Sequence, residues 1–134
     1  MRPRNLILAS LVLTVLSVAY ASVIKGTPEG YSIGSGILIR WITEDETGIE
    51  SFVVLRKNAN DAEFVVVSSP ISPKGNNSTY EFLDQSVFKG SGGVFVYRVR
   101  AVKGRTPVEE VQFSVSHTSS AARRTWGSIK AMFR

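Results

Sequence analysis

Phe95-Val96-Tyr97-Arg98-Val99-Arg100-Ala101-Val102 is the stretch that decides the fold class. Every second residue of it is apolar and uncharged, in the order Phe95, Tyr97, Val99 and Ala101. Because successive side chains of a strand point to opposite faces, this alternation predicts a central strand with one dry face and one mixed face. The stretch indicates a fold class and points to no reaction.

Strand-like segments separated by turn residues fill most of the remaining chain. In Gly36–Thr43, the residues Ile37, Ile39 and Trp41 share one face, and the next strand places Phe52 and Val54 inward. Short strands at regular spacing predict an all-β sandwich. The predicted strands are Tyr31–Ile33, Gly36–Thr43, Ile49–Lys57, Glu63–Ser68, Thr79–Leu83, Val94–Lys103 and Val108–Ser116.

Four motifs in order resemble the fibronectin type III family over about residues 30–118. They are the Trp that closes Ile37–Trp41, the run Phe52-Val53-Val54-Leu55-Arg56, the run Tyr80-Glu81-Phe82-Leu83-Asp84, and residues 95–102. The resemblance implies an immunoglobulin-like sandwich of seven strands in two sheets with Greek-key connections. It also implies that the domain has no catalysis of its own.

The first 21 residues have the layout of a secretory signal peptide. Arg2 and Arg4 precede the apolar run Leu6–Val18, and Ala19-Tyr20-Ala21 forms a small-x-small cleavage site. The apolar run is shorter than the roughly 20 residues that span a bilayer, which disfavours an uncut membrane anchor. We therefore expect cleavage after Ala21 and a protein that is secreted or held in the cell envelope.

Charge divides the expected mature chain into a domain, residues 22–118, and a C-terminal tail, residues 119–134. The sequence has 16 basic and 11 acidic side chains, but 6 of the basic ones lie in residues 1–21 and 119–134. The domain between them is close to neutral, so a nucleic-acid partner is not expected. One domain is what a chain of this length supports.

Few residues here are suited to catalysis or metal binding. The sequence contains no Cys and a single His, His117, which we expect to be exposed in a linker after the last strand. The acidic run Glu44-Asp45-Glu46 lacks the alternating spacing of a calcium loop and is predicted to be a solvated turn. We therefore predict no enzyme, no cofactor and no metal site, and the oligomeric state is left open.

The C-terminal tail is the segment of the sequence most suited to docking. Ala122, Trp126, Ile129 and Phe133 are spaced by four, three and four residues, which places them on one face of a helix. Such a basic amphipathic segment is typical of docking to a protein or an envelope partner, and also of a membrane surface. Packing on its own domain, or no fixed structure, is the third alternative. The candidate docking residues are Arg123, Arg124, Trp126, Ile129, Lys130, Phe133 and Arg134.

Together these features predict a non-enzymatic binding or structural module. It would mediate protein–protein or cell-surface contacts through the loops of the sandwich and the C-terminal tail. The alternative is a carbohydrate-binding accessory module of a secreted polysaccharide-processing system. That alternative needs exposed aromatic side chains, and Trp41 and Tyr97 are expected in the core, which leaves Tyr31 as the candidate.

Overall fold

The computed structural model describes residues 22–34, 36–87 and 93–117, and this part of the chain is all β-strand, turn and loop. It contains seven strands, and inward apolar side chains recur at every second residue in the regular ones. In chain order they are β1 (Ile24–Ile33), β2 (Gly36–Thr43), β3 (Ser51–Asn58), β4 (Val65–Val66), β5 (Thr79–Asp84), β6 (Gly93–Lys103) and β7 (Thr106–His117).

The strands form two antiparallel sheets, one in the order β1-β2-β5 and one in the order β4-β3-β6-β7. The inner faces of these sheets pack on each other in a β-sandwich-like arrangement. The ring of Trp41 in the first sheet lies 6.1 Å from the ring of Phe52 in the second, measured between centroids. Tyr80 stacks on Trp41 at 5.2 Å and lies 4.9 Å from Phe52.

The alternation of residues 95–102 correctly predicts which side chains form the core. Phe95, Tyr97, Val99 and Ala101 are all buried, while on the opposite face Arg98, Arg100 and Val102 are half-buried and Val96 is buried at the strand's start. Ile37, Ile39, Trp41, Phe52 and Val54 are buried as expected. The period of two is sufficient here because β2 pairs with β5, and β6 with β3, in one unbroken register.

The first strand is much longer than the predicted Tyr31–Ile33. β1 begins at Ile24, and three residues, Gly26 to Pro28, lie opposite Trp41 alone, between the pairs Lys25↔Ile42 and Glu29↔Arg40. This bulge interrupts the alternation, which is why the sequence pattern hides the first half of the strand.

The fourth strand is shorter than the predicted Glu63–Ser68. Only Val65 and Val66 pair with β3, opposite Arg56 and Leu55. At Ser68 the side-chain oxygen accepts the amide hydrogen of Val54 at 2.8 Å, so a hydroxyl replaces the backbone carbonyl there. Beyond Val66 the amide of Val67 still donates to the carbonyl of Val54 at 2.9 Å, and the regular pairing does not continue past this bond.

Two edge strands, β1 and β7, run side by side in the same direction and close one side of the structure. The amide of Ile24 donates to Oε2 of Glu109 at 2.6 Å, and Ser32 contacts His117 near the other end. Between these contacts Gly30 lies so close to β7 that an added Cβ would be 2.1 Å from Cγ2 of Val115. The absence of a side chain at Gly30 is what permits this approach.

Replacing Gly30 by Ala is expected to lower the free energy of unfolding by about 1–3 kcal/mol, because a β-branched side chain cannot turn away from the new methyl group. A denaturant titration of the single variant measures this loss. In the double variant Gly30→Ala, Val115→Ala the clash is absent. Its loss of unfolding free energy should therefore be smaller than the sum of the losses of the two single variants. Strict additivity would contradict the close contact between β1 and β7.

Candidate binding surface

The outward side of the three-stranded sheet carries a contiguous apolar area at the end where β1 turns into β2. Tyr31 pairs with Leu38, and Leu38 pairs with Leu83, so that one residue of each strand lines up across the sheet. Ile33 extends this row along β1 on the same face. We call Tyr31, Ile33, Leu38 and Leu83 the outer apolar patch.

The outer apolar patch is open to solvent. Tyr31 and Ile33 are each 44% exposed and Leu83 is 39% exposed, with Leu38 half-buried between the flanking strands. A solvated sheet face normally carries polar side chains at such positions. Large apolar side chains grouped on an outer face are a feature of protein-interaction surfaces.

A charged row borders the outer apolar patch on the same face. Glu29 pairs with Arg40, and Arg40 pairs with Glu81, with 3.7 Å between Nε of Arg40 and Oε1 of Glu81. The hydroxyl of Tyr31 donates to the carboxylate of Glu29, and this hydrogen bond raises the pKa of Tyr31. The row contains two carboxylates and one guanidinium, so the border of the patch is weakly acidic.

Beyond the charged row, the bulge of β1 opens a cavity of about 250 Å³. This volume is below the roughly 300–1,000 Å³ of typical small-molecule sites. Within the described part of the chain, Nε1 of Trp41 is buried without a hydrogen-bond partner. The cavity is lined by Lys25, Thr27, Glu29, Arg40, Trp41 and Ile42.

The outward face of the four-stranded sheet differs because charged and polar side chains cover it. Glu110 accepts from Nε of Arg100 at 2.5 Å and lies 3.6 Å from Nη1 of Arg98. The Arg98 guanidinium also lies 3.9 Å from the ring centroid of Phe64, which shields that ring from solvent. The outer apolar patch therefore has no counterpart at the centre of this second face.

A buried carboxylate joins the two sheets behind the outer apolar patch. Asp84, at the end of β5, is 1% exposed, and its Oδ2 accepts from Nη1 of Arg56 at 2.6 Å and from the hydroxyl of Tyr97 at 2.8 Å. Its Oδ1 accepts from the hydroxyl of Ser86 at 2.6 Å. We call Asp84, Arg56, Tyr97 and Ser86 the inter-sheet cluster.

Hydrogen bonding dominates the ionisation of the inter-sheet cluster. Burial alone would raise the pKa of Asp84, but the bonds from Ser86, Tyr97 and Arg56 outweigh burial and lower its pKa below the usual 3.8. Burial, together with the neighbouring carboxylate, raises the pKa of Tyr97 far above its ordinary value. Asp84 is therefore a charged structural link at neutral pH, with all its bonds directed within the domain.

The turn after β2 is not the fully solvated turn that we predicted, because Glu46 within it is only 6% exposed. Its Oε1 accepts from the hydroxyls of Thr43 at 2.7 Å and Tyr80 at 2.5 Å, and its Oε2 accepts from the amide of Gly75 at 2.8 Å. Burial and the bond to Glu46 raise the pKa of Tyr80 to about 12. Glu46 thus fastens this turn to the loop that precedes β5.

The prediction that His117 is exposed in a linker is wrong. β7 continues to His117, which follows Phe113 and Val115 on the inward face and is 2% exposed. Its Nδ1 lies 2.6 Å from Oγ of Ser32. A Ser–His contact is where nucleophilic catalysis can begin, but this imidazole is enclosed and offers no surface to a substrate. The pair joins the end of β1 to the end of β7.

The described residues contain no group of three or more His, Asp and Glu side chains placed to hold a metal ion. Across residues 22–34, 36–87 and 93–117, no helix is long and apolar enough to cross a membrane. No protein-family model, curated protein or solved structure matches the chain significantly.

Three sequence predictions lie outside the described residues. They are the candidate docking residues of the tail, the signal peptide of residues 1–21 and the domain boundary at residue 118. They stay predictions.

The outer apolar patch was not predicted from the sequence, although β2 contains a signal for it. Leu38 and Ile42 alternate with the inward Ile37, Ile39 and Trp41, so β2 is apolar on both faces.

Proposed function

We propose that the chain is an exported, non-enzymatic binding module of the fibronectin type III type, which holds a protein partner on the outer apolar patch. Seven strands in antiparallel sheets of three and four support the family assignment. The chain passes from one sheet to the other after β2, β4 and β5, as a Greek-key sandwich requires. The layout of residues 1–21 supports export.

The observation that carries this proposal is the exposure of Tyr31, Ile33 and Leu83 side by side on a sheet face. The outer apolar patch is a row of side chains on three neighbouring strands, set apart from the cavity at the β1 bulge, and such a row suits the surface of another protein. The partner that fits presents apolar side chains flanked by basic ones, because the bordering row of Glu29, Arg40 and Glu81 is weakly acidic.

Replacing Tyr31 and Leu83 together by Lys is expected to weaken retention of the partner by about tenfold or more, since aromatic and aliphatic anchors carry much of an interface's binding energy. The measurement compares proteins from an envelope extract of the producing cells retained on the immobilised chain of residues 22–134. The matched control replaces Val65 and Val66, which are 55% and 60% exposed on β4, by Lys. Equal losses in both variants would refute the role of the patch.

Carbohydrate binding is a second candidate, and it is favoured by the cavity at the β1 bulge. Trp41 and Tyr97 are buried, as expected, but Tyr31 is exposed and its hydroxyl bonds Glu29, a residue that lines the cavity. Titration with oligosaccharides tests this candidate through Trp emission, because Trp41 lines the same cavity. An unchanged emission for every sugar would remove it.

A further inference from the structure

The outer apolar patch lies next to the place where the described chain ends. β7 ends at His117, and His117 contacts Ser32, the residue between the patch residues Tyr31 and Ile33. Because β1 and β7 run in the same direction, the chain leaves β7 at the end of the sandwich where Ile33, Leu38 and Leu83 lie. The C-terminal tail therefore starts beside the patch.

The sequence of the tail complements the patch in chemistry. Its apolar stripe of Ala122, Trp126, Ile129 and Phe133 alternates with four basic side chains in a segment without acidic residues. The patch is apolar, and its border carries the two carboxylates of Glu29 and Glu81 with the guanidinium of Arg40 between them. An apolar stripe flanked by positive charge thus meets an apolar row with a weakly acidic border.

We infer that the occupant of the outer apolar patch in the free protein is the C-terminal tail of the same chain, residues 119–134. The tail lies across β1, β2 and β5 with its apolar stripe on Tyr31, Leu38 and Leu83. This inference rests on the proposed function, because it takes the patch as the binding surface. The partner then binds by displacing the tail.

The lengths allow this docking. The four residues 118–121 span at most about 13–14 Å when extended, and they begin at the end of β7, where His117 contacts Ser32 of β1. A helix of the 12 residues 122–133 is about 18 Å long. Three strands spaced by about 4.8 Å present a face roughly 10 Å wide between the outer strand axes, so the helix crosses all of them.

Docking of the tail to its own domain is favoured for two reasons. A helix of this length is marginal alone in water, and Gly127 weakens it by about 1 kcal/mol, so the tail needs a surface to become ordered. The linker keeps that surface at high effective concentration, which an unlinked partner has to overcome. A partner must therefore match the tail's chemistry and bind the patch more tightly.

Paramagnetic relaxation in nuclear magnetic resonance tests this inference directly, since the chain has no cysteine and accepts a single spin label. The label is attached to Ala131→Cys, which lies off the apolar stripe, in the chain of residues 22–134. We expect the amide signals of Tyr31, Leu38 and Leu83 to lose most of their intensity. The signals of Val65 and Val66, on β4, should keep theirs.

Two further samples separate the possible occupants. The mixed sample contains two chains, one isotope-labelled without a spin label and one spin-labelled without isotopes. We expect no loss of signal intensity at the patch. A loss would mean that the tail of a second copy occupies the patch. Adding Leu83→Lys to the spin-labelled chain should restore the signals of Tyr31 and Leu38. Full intensity at all three patch positions in the first sample would overturn the inference.

A failure of this inference is distinguishable from a failure of the proposed function. If the patch signals are lost but substitution of the patch does not change retention of the partner, the tail contacts the patch and the patch does not bind the partner. Partner retention that depends on the patch, without any signal loss, would do the reverse.

Discussion

Replacing Asp84 by Ala is expected to lower the free energy of unfolding by about 3–5 kcal/mol, the usual cost of removing one partner from a buried ion pair. The substitution removes the carboxylate acceptor of the Tyr97 hydroxyl, whose residue is 0% exposed, and of the Arg56 side chain, 13% exposed, which keeps a bond to Oγ of Ser86 at 2.9 Å. It also breaks the inter-sheet cluster at the end of β5. Denaturant unfolding of the variant and of the unmodified chain measures the loss.

The matched control for this prediction is Glu81→Ala on the same strand. Glu81 also pairs with an Arg, but the two side chains of that pair are 55% and 49% exposed. An exposed pair contributes about 0–1 kcal/mol, so the control should stay close to the unmodified chain. Comparable losses for both substitutions would show that the inter-sheet cluster has no special role.

The inter-sheet cluster also sets a dependence on acid. Because the pKa of Asp84 is lower in the folded protein than its usual 3.8, its contribution to stability is complete above that value and is lost as pH falls through the folded pKa. Asp84→Asn cannot lose a charge on acidification. The difference in unfolding free energy between the unmodified chain and Asp84→Asn should therefore shrink below pH 3.8. A difference that stays constant below this pH would contradict the lowered pKa of Asp84.

Replacing Glu46 by Ala should cost about 2–4 kcal/mol, because an unsatisfied buried polar group costs about 1–3 kcal/mol. Three donors lose their acceptor, namely the hydroxyls of Thr43 and Tyr80 and the amide of Gly75. Thr43 has a second, weaker acceptor 3.4 Å away in the carbonyl of Ser78, so the three costs do not simply add. Thermal unfolding gives the loss as a lowered melting temperature.

Glu44→Ala is the control for Glu46, since it removes an exposed carboxylate from the same turn. Surface substitutions of this kind usually change stability by no more than about 0.5 kcal/mol. Glu46→Gln keeps an acceptor for Tyr80 and should fall between the two. A Glu46→Ala protein as stable as Glu44→Ala would mean that the turn does not depend on the loop before β5.

Local pattern predicts the regular strands well and fails where contacts are distant. β2 has the predicted bounds and β6 differs from them by one residue, since the inward side chains of both recur at every second position. The burial of Glu46 depends on Gly75, in the loop before β5, and on Tyr80, in β5 itself; both lie about 30 residues away, and no local pattern contains that information. The burial of His117, in contrast, follows from the local pattern, because Phe113, Val115 and His117 occupy every second position of β7.

The candidate surface was missed for a related reason. The spacing of Ile37, Ile39 and Trp41 identifies the inward face of β2 and gives no role to the outward Leu38. Only pairing between strands places Leu38 between Tyr31 and Leu83, which are distant from each other in sequence. The patch is a property of register, and register follows from the whole sheet.

Site-specific photo-crosslinking in the producing cells tests the central claim, that the outer apolar patch binds a protein partner. A photoreactive residue replaces Leu83 in one form of the chain and Val66, on the edge strand β4, in another. We predict that the Leu83 form yields a discrete adduct with a second protein and that the Val66 form does not. Adducts of equal yield at both positions, or no adduct at Leu83, would contradict the claim.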